Sequence, residues 1–360
     1  MAHALLQWYA RARRDLPWRR SRDPYRVWVS EIMLQQTQVE RVKEFFTRFV
    51  TRLPDIAALA AAREAEVLRL WEGLGYYRRA RQLHAAAQRI VADHGGRFPQ
   101  TAADLRALPG IGRYTAGAIA SIAFDEPEPI VEANSRRVIA RLIGHDGPLG
   151  NAAADEPIWD AATRLLPPEH PGRFNQALMD LGSLVCTPVR PLCSTCPLAD
   201  ACVARRDGRV AEIPRPVARR AVKQVRETAV VVDRAGRVLV VRRGADEWWA
   251  GLWDFPRVAG RAARANRGIA ASPVLGSLGC GRPEVLGTVV HTVTHHRITL
   301  DVVRCTGRRA GRVGADARWV TPRQLAALAM SSPARRIARL VSGKNRTMRC
   351  FALRASARRT

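Results

Sequence analysis

Residues 108–142, LPGIGRYTAGAIASIAFDEPEPIVEANSRRVIARL, constrain the fold more than any other stretch. Thr101 and Asp104 can form a capping box that opens a short helix. Leu108-Pro109-Gly110-Ile111-Gly112 then breaks it, and a second helix starts near Thr115. The two glycines, Gly110 and Gly112, permit positive φ and leave backbone N–H groups uncovered. Beside a new helix N-terminus, such groups bind phosphate without reading sequence. An ordinary helix-to-helix turn has the same pattern. Downstream, Pro127 and Pro129 close the second helix, and Glu132 falls just before a third, carrying residues 135–142. There a carboxylate complements the helix dipole; the same positive end would keep it ionised beside a developing cation. Spacing leaves both open.

A chain of 360 residues implies about two domains. No apolar run approaches the ~18 residues of a membrane span, and the N-terminus lacks a signal-peptide core. A soluble, unexported, cytoplasmic protein is expected. The net charge of +27 points to a polyanion, nucleic acid first and a membrane surface second. Arginine-rich codon usage accounts for part of it. Seven cysteines do not make a disulfide framework, because four crowd between 186 and 202 while Cys280, Cys305 and Cys350 are scattered. A reducing compartment and a metal site fit better. Cys186-x6-Cys193-x2-Cys196-x5-Cys202 suits tetrahedral zinc or a [4Fe–4S] cluster, since both take four thiolates.

Before the central stretch, residues 1–20 read as a helix running into Leu16-Pro17-Trp18-Arg19-Arg20. Asp23-Pro24-Tyr25 starts another, VWVSEIMLQQTQVERV, in which Glu31 is the only acid between Val27 and Val39. An ordinary helical glutamate is solvated. Neighbours as apolar as Val29, Ile32, Met33 and Leu34 make burial credible, and burial raises a carboxyl pKa. Helices follow over 55–70 and 77–94. Between them, glycine-flanked Tyr76 and Tyr77 beside Arg78, Arg79 and Arg81 suit stacking on bases and holding phosphates, or a packed tyrosine corner.

LPGIGRYTAGAI followed by PIVEANSRRVIAR resembles the helix-hairpin-helix DNA glycosylases, specifically the adenine DNA glycosylases of the MutY type. The resemblance implies that the Gly110–Gly112 turn holds DNA phosphate and that Glu132, with Tyr114 and Asn134 in support, faces the sugar cation left as the base departs. The family carries aspartate where this chain has Glu132. SEIMLQQTQV resembles the family's catalytic helix, which implies an acid role for Glu31 and a DNA-contacting role for Gln36. LPWR resembles the edge of the adenine pocket, implicating Trp18 and Arg19; a core tryptophan with a surface arginine is the other reading. Tyr76 takes the place of the base-stack wedge. Endonuclease III relatives form a Schiff base through a lysine at the position of Tyr114, so a glycosylase without substantial lyase activity is expected. The spacing of the cysteines after FNQALMDLGSLVC resembles the family's iron–sulfur loop, which implies that Cys186, Cys193, Cys196 and Cys202 hold a structural [4Fe–4S] cluster.

Beyond a charged linker over 206–225, strand-like alternation begins at 228–232, 238–242 and 253–257, similar to the Nudix-type domain of the same family. After Gly251 the acids are Asp254, Glu284, Asp301 and Asp316, too scattered for a Nudix metal site, so this domain is expected to bind rather than hydrolyse. His291 to His296 is expected before a strand over 298–303, and Val293-Thr294-His295 occupies the family's Phe-Ser-His triplet for 8-oxoguanine. Thr294 keeps the hydroxyl and His295 the imidazole, whereas the phenyl ring is lost; a ligand-free, histidine-rich strand edge is the other reading.

The expected architecture is therefore an all-α helix-hairpin-helix glycosylase domain over 1–205 with an iron–sulfur loop at 186–202. A Nudix-like α/β domain over 226–343 and a basic tail over 344–360 complete it. The helical part is expected as a barrel over about 23–130 and a second lobe from 1–22 and 131–205, with the DNA cleft between. The implied activity is monofunctional excision, in base excision repair, of adenine opposite 8-oxoguanine or guanine in double-stranded DNA, by a nucleoid-associated monomer with no membrane partner. A thymine or uracil mismatch glycosylase and a catalytically silent DNA-binding homologue are the alternatives.

Overall fold

The computed structural model describes residues 1–215, 221–262, 265–309 and 313–341. The basic tail and residues 216–220 of the expected linker lie outside these. Contacts divide the chain into two compact units. The first takes Met1–Leu70 and the described residues from Arg78 to 215; the second takes Trp71–Tyr77 and those beyond 220.

The first unit is helical: α1 (Ala2–Ala12), α2 (Pro24–Leu34), α3 (Val39–Arg52), α4 (Ile56–Ala61), α5 (Glu64–Leu70), α6 (Arg78–His94), α7 (Ala102–Arg106), α8 (Arg113–Phe124), α9 (Ala133–Ile143), α10 (Ala152–Leu165), α11 (Pro171–Leu184) and α12 (Val203–Arg206). Asp23 caps α2 by accepting from the backbone N–H groups of Tyr25 and Arg26, with Pro24 at the first helical position. Two helices expected as continuous are broken. VWVSEIMLQQTQVERV ends as α2 at Leu34 and resumes as α3 after a bend in which Gln36 is left-handed, φ 56°. The alanine-rich stretch splits into α4 and α5, because Ala62 is extended and alanine-rich periodicity carries little signal of a break. Thr101 caps α7, but the expected reciprocal half of the box is absent: the Asp104 carboxylate accepts from the Thr101 hydroxyl rather than from its backbone.

Packing follows the lobes expected from the sequence. Trp28, Met33, Phe46, Phe49, Leu83, Ile90 and Leu105 are fully buried among α2 to α8. A separate core joins Leu5 and Tyr9 of α1 to Val138, Ile139, Ile158, Phe174, Leu178 and Leu181 of α9 to α11. Ile213, within the expected linker, is buried in this second core and accepts from Arg141 through its carbonyl.

The second unit is a mixed sheet with helices on both faces. Its strands are β1 (Lys223–Arg234), β2 (Arg237–Arg242), β3 (Trp253–Asp254), β4 (Arg257–Ala259), β5 (Glu284–Val293), β6 (His296–Thr306) and β7 (Ala317–Val320). The order is β3-β2-β1-β6-β5, with β4 on β1 and β7 on β2; β1 and β6 run parallel. Helices α13 (Ala265–Ala271) and α14 (Pro273–Ser277) share a core with Val230 and Val232. Helices α15 (Pro322–Ala327) and α16 (Ser332–Val341) share one with Ala229 and Val231. Burial on both faces explains the unbroken apolar run Ala-Val-Val-Val in β1, where alternation was expected. The strand expected over 253–257 is two: β3 pairs with β2 and β4 with β1, separated at Phe255-Pro256. The histidines expected ahead of a strand instead form a hairpin. His291, Thr292 and Val293 end β5, Thr294 and His295 make the two-residue turn with Thr294 at φ 52°, and His296 opens β6.

Candidate active site

A cavity of about 650 Å³ in the first unit is lined by residues from both lobes. Of the residues singled out in the sequence, Trp18, Arg19, Glu31, Gln36, Tyr114, Glu132 and Asn134 all border it. Gly110, Gly112 and the four cysteines do not, and Tyr76, Thr294 and His295 belong to the second unit.

Glu31 lies on the last turns of α2, 4% exposed, and accepts a hydrogen bond from the hydroxyl of Tyr114 on α8. Burial raises its pKa from 4.5 to about 7, against the lowering effects of the Tyr114 bond and the Arg19 charge, with nearby Glu132 raising it further. Tyr114 is pushed well above 10 by burial and by both carboxylates, so it remains a donor. A neutral carboxyl near pH 7 has the protonation state of a general acid.

Glu132 is the N-cap of α9. Its two carboxylate oxygens accept from the backbone N–H groups of Asn134 and Ser135, each at 2.9 Å, and the Ser135 hydroxyl accepts from the Glu132 N–H at 2.9 Å. This reciprocal capping box turns the longer side chain back on its own helix, so the extra methylene is absorbed instead of being extended into the cavity. The expected place of Glu132 at a helix start is thus met by an N-cap, on a residue that also borders the cavity. Gly182 of α11 packs on this turn: a Cβ there would lie 2.7 Å from Cβ of Asn134, so glycine is what brings α11 against the segment.

Trp18 is buried, edge-on to Phe46 at 5.5 Å, yet its side chain also borders the cavity. Arg19 is not a surface arginine. It forms a two-pronged pair with Asp180 of α11 at 2.6 and 3.1 Å, and Arg14 joins the same carboxylate at 2.7 Å. Sequence reading passed over Asp180, although it sits in an apolar helix between Met179 and Leu181 as Glu31 does in α2. Arg79, named in the sequence as a neighbour of the tyrosine pair, is buried and donates to the carbonyls of Ile32 and Met33, so it ties down the end of α2.

Gly110 has φ 76°, and a Cβ there would meet Gln82 at 2.6 Å, so the turn demands glycine twice over. Gly112 is the N-cap of α8, without a side-chain cap and open around its α-carbon. Tyr76 is left-handed, φ 47°, and 44% exposed, whereas Tyr77 is buried.

The four cysteines line one small cavity with Val185, Leu192, Ala199 and Val210. Arg141 lies against it, donating to Cys186 Sγ at 3.3 Å and to the Thr187 carbonyl at 2.8 Å. Among the described residues no three His, Cys, Asp or Glu side chains converge as they would on a single ion. In the second unit, Asp254 is committed to Arg257 at 2.7 Å, and Asp301 accepts from the N–H of Ala262 and from Arg226.

Helices around a glycine hairpin, a buried acid and a capped carboxylate define the class of base-excision DNA glycosylases. The family model for HhH-GPD superfamily base excision DNA repair proteins matches residues 29–156, and a NUDIX domain model matches 227–340. The adenine DNA glycosylase of Mus musculus is 36% identical over 93% of this chain and 76% of its own length. That of Homo sapiens is 35% identical over 95% of this chain and 74% of its own. The solved structure of a thermostable thymine-DNA glycosylase matches with a TM-score of 0.52 and 30% identity, over 57% of this chain and 95% of that one. The chain belongs to the adenine DNA glycosylase family, enzymes of base excision repair. No described helix is long and apolar enough to cross a membrane.

Proposed function

We propose that this enzyme removes adenine mispaired with 8-oxoguanine or guanine by hydrolysing the N-glycosidic bond, without strand cleavage. The observation that carries the reading is a buried Glu31 with a pKa of about 7 in the same cavity as Glu132. Adenine turned out of the duplex enters that cavity, at a cost of a few kcal/mol that a mispair reduces. Trp18 and Arg19 border the base, Glu31 protonates it, and the C1′–N9 bond breaks. Glu132 then faces the oxocarbenium ion, with Tyr114 and Asn134 beside it, and water attacks with Glu31 as base. Tyr114 cannot form the imine that a lysine would, so water alone resolves the cation and the abasic sugar stays in an uncut strand.

On the same reading, Gly110, Gly112 and Gln36 hold the DNA backbone, Tyr76 wedges into the base stack, and Thr294 and His295 meet the opposite base. Cys186, Cys193, Cys196 and Cys202 are the residues to hold a [4Fe–4S] cluster. Four thiols lining one cavity are a donor set that fits such a cluster, and the Arg141 cation beside Cys186 would offset their charge. Such a cluster would serve a structural role. The Nudix-like domain binds and does not hydrolyse, its Asp254 and Asp301 being committed to structural pairs. We place the passage between the domains within 206–225, after Ile213 in the helical core and before β1, and the working unit is a nucleoid-associated monomer.

A single-turnover assay on duplexes with adenine opposite 8-oxoguanine, adenine opposite guanine, or thymine opposite guanine tests this, each read with and without alkali. Alkali-dependent cleavage at adenine only is expected. Cleavage at thymine would place the enzyme's specificity elsewhere, and tight binding without base release would mark a silent homologue.

A further inference from the structure

The segment between α5 and α6, Trp71–Tyr77, belongs to the second unit, and two of its residues are fastened there. The Arg335 guanidinium on α16 holds Glu72 in a two-pronged ion pair, at 2.6 Å to Oε1 and 2.9 Å to Oε2, and both side chains are largely buried. Oε2 of Glu72 also accepts from the Met330 N–H at 3.4 Å. Arg335 is itself fixed, donating to the carbonyls of Leu325 and Leu328 at 3.1 and 2.6 Å. At the other end of the segment, the buried Tyr77 hydroxyl accepts from the Gly73 N–H at 3.4 Å and donates to the Met330 carbonyl at 3.2 Å. Between these anchors the backbone is left-handed at Gly73, Gly75 and Tyr76, with φ 111°, 76° and 47°. Positive φ is unfavourable for tyrosine, yet Tyr76 is the one exposed residue of the seven. A loop that had only to turn would take glycine there; a strained, exposed ring marks a segment shaped to present that ring.

We propose that Glu72 and Arg335 are positioning residues for Tyr76, so that the Nudix-like unit, which lends no residue to the base pocket, sets the readiness of the ring to enter the base stack. This rests on the wedge role given above to Tyr76 and adds the groups that control it. A ring on a free loop loses conformational freedom when it enters DNA; a ring on a loop pinned at residues 72 and 77 has lost much of it before binding. Removing the Glu72 carboxylate releases one pin and leaves Arg335 its carbonyl partners, so the junction of α15 with α16 is kept.

The test uses the full chain and a duplex with adenine opposite 8-oxoguanine, carrying 2-aminopurine beside the lesion so that unstacking is read as a rise in fluorescence. Affinity and single-turnover release are measured alongside. Glu72→Ala is expected to lower the fluorescence rise, the affinity and the release rate, the last two by about tenfold, while the pH dependence of release is unchanged. Glu72→Gln, which keeps an acceptor and loses the charge, falls between it and the parent. Tyr76→Ala loses at least as much, and adding Glu72→Ala to it costs nothing further, because the ring to be positioned is gone. Parental fluorescence and affinity in Tyr76→Ala would overturn the wedge role and this inference together. A Tyr76-dependent signal that Glu72→Ala leaves intact would overturn the positioning alone. So would additive losses in the double variant, which would mark the ion pair as serving the fold and not the ring.

Discussion

Two glutamates border one cavity, and α2 and the start of α9 treat them in opposite ways. Glu31 is stripped of water, which raises its pKa to about 7 although its hydrogen bond from Tyr114 works the other way, so a substantial share of its carboxyl is protonated near pH 7. Glu132 sits at a helix N-terminus with a backbone N–H donating to each of its carboxylate oxygens. One residue type thus meets two environments in one cavity, and the proposed roles of proton donor and partner of the sugar cation divide along that difference.

Replacing Glu31 by Gln removes the proton while keeping the shape. Adenine release is expected to fall by about 10³-fold or more, with DNA affinity retained, in a single-turnover assay paired with a binding titration. Retained activity of a few per cent would remove Glu31 from the acid role. The same substitution has a stability signature. The folded-state pKa lies above the unfolded value, so Glu31's contribution is intact below about pH 4.5 and is lost as pH rises towards about 7. Glu31→Gln is therefore expected to be the more stable protein above pH 7, by on the order of 1–3 kcal/mol, as read by denaturation at pH 5 and pH 8.

Glu132→Gln keeps one cap acceptor and deletes the charge. A loss of about 10²–10³ in release, with little change in melting temperature, is expected if the carboxylate faces a developing cation. A large thermal loss with modest kinetic loss would make it a cap and nothing more. Glu132→Asp retains both roles on a shorter arm and is expected to equal or exceed the parent rate; a large loss would mean that the site is fitted to the turned-back glutamate. The smallest effect concerns Tyr114. Phenylalanine there deletes the bond that lowers the Glu31 pKa, so the alkaline limb of the rate profile should move up by as much as about one pH unit.

The sequence told most where an exception broke a pattern. One acid in an apolar helix gave away Glu31, and proline and glycine punctuation located Glu132 at a helix start. The same logic applied to α11 would have found Asp180, which lay inside a segment read only as the approach to the cysteines. Arg79 was not legible, because a buried arginine and a solvated one look alike in a basic helix; only the carbonyls it meets distinguish them. The hairpin at Thr294 and the division of 253–257 depended on strand partners distant in sequence, which local alternation does not record.

The most direct test of the central claim is the pH dependence of single-turnover adenine release by the parent enzyme, on a duplex with adenine opposite 8-oxoguanine. The account predicts a rate that declines as pH rises through about 7, with that limb absent from whatever activity Glu31→Gln retains. A parental rate flat from pH 5 to 9, or the same limb in the Gln variant, would contradict it.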